Sequence, residues 1–296
     1  MTQWKGKTRG GVLGYKFFVF FITRFDLSVA YFFLRFVAFY FLFFAPRAFR
    51  AIYLYFRFRR KMGVLKAVLA VYGNFYALGQ ALVDKIAALS SAKAVFTFDY
   101  DGEHYLNEMA AAGKGGFLVS AHVGNWDIAG NLLKRIDSRV HIVMRDAEHL
   151  RIKQYLGNVM TENRLNIIPI KDDLSHIVQI RDALAHNDLV CIHGDRFMEG
   201  AKTITVPFLG KDARFPQGPF LLPATFGVPV TFVFAMKESS RHYHFYATEP
   251  ITPQVPRNRK EREMIVENLV KKYTDNLEVM LNRYPLQWFN YYDFWK

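Results

Sequence analysis

His122 and Asp127 are the two side chains of this sequence best placed, by type and spacing, to move a proton. An imidazole accepts and returns a proton near neutral pH. A carboxylate within reach fixes its tautomer and stabilises the imidazolium that forms. The pair follows an apolar run at 116–121 and frames the turn residues Gly124 and Asn125. If a strand delivers His122 and a helix starts near Asn125, Asp127 lies on the first helical turn and can fold back towards the ring. The chemistry implied is a base that deprotonates a hydroxyl carried by a substrate. A local reading competes: Asn125 as an N-cap and Asp127 as a first-turn acid favoured by the helix dipole, with no chemistry at all. Asp195 and Glu199 are rival carboxylates for orienting the ring.

Other residues narrow the reaction. Arg145 and Arg196 are planar cationic forks suited to phosphate or carboxylate, or else structural partners of Asp146, Asp195 or Glu199. Ser120 is near His122, but Gly-x-Ser-x-Gly is absent, so the base can act on an acceptor hydroxyl directly without an acylated residue. A tetrahedral oxyanion then needs donors, from backbone N–H groups at a helix start or a nearby arginine. His141, His149 and His193 follow no zinc spacing, so neither metal nor other cofactor is expected. Phe197, Phe215 and Phe220 either line an acyl channel or belong to the core.

The elements that must hold these residues alternate along the chain. Strands are expected at 96–98, 116–121, 140–144, 166–170, 189–193, 228–235 and 242–248. Helices are expected at 103–112, 125–135, 149–162, 173–186, 220–226 and 259–283. The pattern predicts an α/β fold with a largely parallel sheet flanked by helices on both faces. In such sheets ligands bind beyond the carboxyl ends of the strands. His122, Arg145 and Asp195-Arg196 each follow a strand end, which gathers them on one rim.

The first 66 residues differ in character. They hold thirteen Lys and Arg against the single acid Asp26, so nearly all of the net +13 lies there. Residues 27–44 are apolar except for Arg35, and a basic–aromatic helix follows at 47–61. A run of 18 is short for a crossing, which takes roughly 20 residues. A membrane-embedded or interfacial hairpin is expected, or a single crossing, with the aromatic rings at headgroup level and the cations on phosphates. The apolar run argues against nucleic acid as the partner of this basic chain. The expected division is a membrane-anchoring segment at 1–62 and an α/β domain at 63–296. Cys191, the one cysteine, excludes an intrachain disulfide, and no secretory signal is evident.

Four stretches together resemble a known family. They are His122-x4-Asp127, then His193-Gly194-Asp195-Arg196-Phe197-Met198-Glu199-Gly200, then Pro207-Phe208-Leu209-Gly210 with Arg214-Phe215-Pro216-Gln217-Gly218-Pro219, and the tail Pro285-Leu286-Gln287-Trp288-Phe289-Asn290-Tyr291-Tyr292-Asp293-Phe294-Trp295. In this order they look like the lysophospholipid acyltransferase superfamily, and more closely the bacterial lipid A biosynthesis (lauroyl/myristoyl) acyltransferases. The resemblance implies an enzyme at the cytoplasmic face of the bacterial inner membrane. It would move a fatty acyl group from a thioester, acyl carrier protein or a coenzyme A thioester, to a lipid hydroxyl. His122 matches the catalytic histidine and Asp127 the motif acid. Asp195, Arg196, Glu199 and Gly200 match the block that lines the acceptor headgroup. Many relatives carry Glu where Asp127 stands, and acyltransferases of other glycolipids and aminolipids share the same blocks. A lipid hydrolase using the same base on water, or a non-catalytic lipid-binding protein, remain the alternatives.

Overall fold

The computed structural model describes residues 20, 24–89, 96–129, 135–144, 165–170, 173–197 and 200–295. The helix expected at 149–162, Arg145 and Glu199 lie outside the described residues. Seven strands form one sheet: β1 (Thr97–Asp101), β2 (Gly116–Ser120), β3 (Val140–Met144), β4 (Leu165–Pro169), β5 (Leu189–His193), β8 (Val230–Lys237) and β9 (His242–Ala247). Their order is β1-β9-β8-β2-β5-β3-β4. Every neighbouring pair is parallel except the β8–β9 hairpin.

Both faces of the sheet are covered, as a parallel sheet requires. On β2 the side chains alternate between two cores: Phe117 and Val119 join one, Leu118 the other. The first core takes in Phe220 of helix α6 (Gly218–Phe226) and Leu269, Tyr273 and Leu277 of helix α7 (Arg259–Arg283). The second takes in Leu106 and Met109 of helix α4 (Glu103–Ala111). Helix α5 (Ser175–Ala185) buries Ile180, Ala183 and Leu184 in the first. The α/β architecture expected from the alternation is therefore the one observed.

Two local expectations fail. Residues 126–129 are turns closed by Ile128 N–H on Asn125 O and Ala129 N–H on Trp126 O, not the start of a regular helix, while 130–134 lie outside the described residues. Residues 203–216, where no strand is expected, form an antiparallel hairpin, β6 (Thr203–Phe208) and β7 (Lys211–Pro216). Leu209 and Gly210 link them with φ of 49° and 75°, the positive pair that a type I′ hairpin turn needs.

At the other end, helix α1 (Leu27–Phe44) is capped by the Asp26 carboxylate, which accepts from Ser28 N–H. Its buried residues Leu27, Ala30, Tyr31, Leu34 and Ala38 share one face. Four of them, all but Ala38, pack with Val83, Ile86 and Ala87 of helix α3 (Val64–Leu89). Phe32, Phe36, Phe39, Tyr40, Phe43 and Phe44 of α1 are exposed. Pro46 opens helix α2 (Pro46–Leu54) at a position where a missing N–H costs nothing. A π turn (Tyr55–Arg59) follows. Tyr55 and Phe56 are buried in the main core, Tyr55 against Trp288, which corrects the expectation that these two rings face the headgroups. Phe58 is exposed.

Candidate active site

β2 and β5 are parallel neighbours with Ser120 opposite His193. Two residues beyond each stands a functional group, His122 after β2 and Asp195 after β5. Equal offsets on paired parallel strands bring the two side chains together. The Asp195 carboxylate is fully buried and grips its partner twice. Oδ1 lies 2.7 Å from His122 Nδ1, and Oδ2 accepts the His122 backbone N–H at 3.0 Å. An ionised carboxylate only accepts, so the His122 ring carries its proton on Nδ1. Nε2 is left as the basic nitrogen. It has no protein partner among the described residues and lies on the open side of a ring that is 26% exposed.

Electrostatics set the charge state of this pair. Burial pulls the His122 pKa below the ordinary 6.5; the Asp195 charge opposes that pull and the Arg196 guanidinium adds to it. Burial alone would raise Asp195, but the hydrogen-bonded His122 imidazole, then Arg196 and His193, hold it well below the usual carboxylate range. A neutral base beside a fixed charge follows.

Asp127 lies elsewhere. It is ion-paired with Lys85 at 2.8 Å, and Lys85 also sits 5.4 Å over the Trp126 ring. The expected fold-back onto His122 requires a helix at Asn125, and the turn there aims the side chain towards α3 instead. Arg196 donates Nη2–H to Phe289 O at 2.5 Å. It braces the C-terminal tail beside the site, while the headgroup role came from the resemblance. Gly200 occupies a turn at φ 83° with open space around its Cα, so nothing in its surroundings requires contact with a ligand. Phe215 and Phe220 are core residues, and Phe197 lies under the Arg214 guanidinium.

Three contributions carry little signal in the sequence. The tail pairs with the turn at 122–125 like an added strand: Phe289 N–H donates to His122 O at 2.9 Å and Gly124 N–H to Gln287 O at 2.9 Å. The Gln287 side chain accepts from Lys237 N–H and donates to Lys237 O. Gly124, at φ 65°, runs so close to β8 that a Cβ would meet Ala235 O at 2.1 Å. Asn125 donates to Ala81 O and the Tyr243 hydroxyl. Tyr243 in turn meets Asp84, a buried carboxylate that also receives Tyr31 and, at 2.5 Å, Lys237. The third is His193, whose ring packs against His122 at a tilt of 37°, centroids 4.4 Å apart. His122, His193 and Asp195 each bring a nitrogen or oxygen within 4.8 Å of the others. A cation held there would compete with the hydrogen bonds that orient the base.

The profile of a family described as bacterial lipid A biosynthesis acyltransferase matches residues 16–296. Among solved structures, the 1-acyl-sn-glycerophosphate (LPA) acyltransferase PlsC from Thermotoga maritima is similar at 18% identity, over 84% of this chain and 97% of that one, with a TM-score of 0.36. No curated protein matches the sequence.

Proposed function

The chain belongs to the bacterial lipid A biosynthesis acyltransferase family, and from that premise we propose that it moves a fatty acyl chain from an acyl thioester to a hydroxyl of a lipid A precursor. The enzyme is an acyltransferase; its donor, acceptor and base are the proposal. The observation that carries it is the Asp195 carboxylate clamping both the ring and the backbone of His122. That clamp leaves one imidazole nitrogen, neutral and open, to receive a proton.

In the reaction, His122 Nε2 takes the acceptor hydroxyl's proton as its oxygen attacks the thioester carbonyl carbon. The imidazolium is stabilised by Asp195. Collapse of the tetrahedral intermediate breaks the C–S bond, and the leaving thiolate takes the proton back from Nε2. No residue is acylated. A basic surface favours an acidic carrier protein as the thioester donor over coenzyme A, and nearly all of the net +13 that would provide it lies in residues 1–66. The exposed Phe and Tyr face of α1, beside the basic residues of 47–61, supports docking of segment 1–62 on an anionic bilayer, at the cytoplasmic face of the inner membrane. Arg145 and Glu199 are proposed to meet the acceptor headgroup, and Asp127 to hold the catalytic turn through Lys85.

Mass spectrometry of lipids from a strain lacking the protein tests the acceptor. A lipid A species one acyl chain short, restored by the parent gene and not by His122→Ala, is expected. Loss of a chain from a different glycolipid or aminolipid reassigns the acceptor, and an unchanged lipid profile rejects the reading.

A further inference from the structure

The attack on a thioester carbonyl creates an oxyanion, and four backbone donors at this rim are already engaged. His122 N–H goes to Asp195, Gly124 N–H to Gln287 O, Asn125 N–H to Ala235 O and Gly194 N–H to Ser120 O. The Arg196 fork is turned to the tail carbonyl of Phe289. His193 is different. It ends β5 beside the base, with its ring centroid 4.4 Å from that of His122 and 5.2 Å from that of Trp126, the second contact T-shaped. Its Nδ1 is shut off from solvent with no partner, and Nε2, also without a protein partner among the described residues, is not closed off. A stranded N–H in a dry pocket is rarer than a stranded acceptor, so the proton belongs on Nε2, where it can reach a ligand.

We propose that His193 is a second catalytic residue, whose neutral Nε2–H donates a hydrogen bond to the thioester carbonyl oxygen and to the oxyanion that forms from it. The proposal rests on His122 acting as the base. In the balanced step, the acceptor oxygen bonds to the carbonyl carbon and its proton moves to His122 Nε2. The carbonyl π pair moves to the oxygen facing His193 Nε2–H. When the C–S bond breaks, that pair re-forms the carbonyl and His193 keeps its proton throughout. His122 becomes cationic as it takes the proton, and a like charge on the adjacent ring is disfavoured, so a neutral His193 suits the donor's role. Burial, and after it His122, hold the His193 pKa at about 3, so the ring stays neutral and serves as a donor rather than an acid.

The test compares His193→Phe, His193→Gln and His193→Ala with the parent and with His122→Ala, in detergent with a labelled acyl-carrier-protein thioester and acceptor membranes. The Phe variant is expected to lose about 10²–10³-fold in kcat with KM nearly unchanged. The acid limb of its pH profile should stay in place. Gln retains a neutral N–H and should recover at least about tenfold over Ala, a comparison that holds even if Phe fails to fold. ¹⁵N NMR of histidine-labelled parent should show His193 as the Nε2–H tautomer. An Nδ1–H tautomer, a Phe variant within threefold of the parent, or Gln no better than Ala would overturn the assignment. If His122→Ala is fully active, it is the underlying base reading that fails.

Discussion

At the scale of single residues, the carboxylate that faces His122 sets the charge state of its ring. Asp195 raises the His122 pKa while burial lowers it, and the net value lies below 6.5. The base is therefore neutral through the physiological range, and the acid limb of kcat/KM should fall below pH 6.5. Asp195→Asn removes the negative charge that opposes burial. The limb should move further down in pH, and kcat should fall by about 10²–10⁴-fold as the imidazolium loses its counter-charge. Asp127→Asn breaks the Lys85 pair and loosens the turn. It is expected to change kcat and stability but to leave the acid limb in place. A pH–rate profile on both variants separates the two acids. A second prediction concerns stability. The His193 pKa is about 3 in the fold and 6.5 as the ordinary value. Between those values the unfolded chain binds the extra proton, so stability falls as pH drops from 6.5 towards 3. His193→Phe should flatten that slope in urea melts; an unchanged slope would contradict the burial of a neutral ring. His122 stands out in the sequence as a candidate because the strand end and turn that carry it are local. Its partner was ambiguous because Asp195 is 73 positions away and only the β2–β5 register brings it near.

At the scale of elements, strands and helices with strong periodicity were readable, and pieces held by long-range contacts were not. The hairpin β6–β7 was missed because Pro207 interrupts the alternation and Leu209 is an unusual residue at positive φ. The turn at 126–129 was missed because its backbone is fixed by β8 and the tail, through Ala235 and Gln287, rather than by its own propensity. The tail shows this dependence most directly. Trp288, 1% exposed, packs against Tyr55, Phe208, Phe294 and Trp295 and sits between two residues bonded to the His122–Gly124 turn. Trp288→Ala should cost about 3–5 kcal/mol and lower kcat with it, read by thermal melting and by turnover. A variant that melts like the parent would show that the tail does not support the site.

At the scale of the whole molecule, one core runs through the boundary suggested by composition. Ile52, Tyr55 and Phe56 from the basic segment pack with residues as distant as Trp288 and Phe294. Composition alone separates charge and aromaticity into an anchor, but it does not reveal which rings turn inward. The outward ones are the membrane-facing prediction. Replacing exposed Phe36, Phe39 and Phe43 with Ser should reduce binding to anionic vesicles at least tenfold, since each buried Phe is worth about 1.5–3 kcal/mol. Circular dichroism should be unchanged, and retained binding would move the docking surface elsewhere. The central claim, direct acyl transfer by the His122 base, is tested most directly by one assay: following a labelled acyl chain from acyl carrier protein into acceptor membranes, for the parent and for His122→Ala. The account predicts label in a lipid for the parent, little free fatty acid when acceptor is withheld, and a loss of at least about 10²-fold for His122→Ala. Equal transfer by both proteins, or full-rate release of free fatty acid without acceptor, would contradict it.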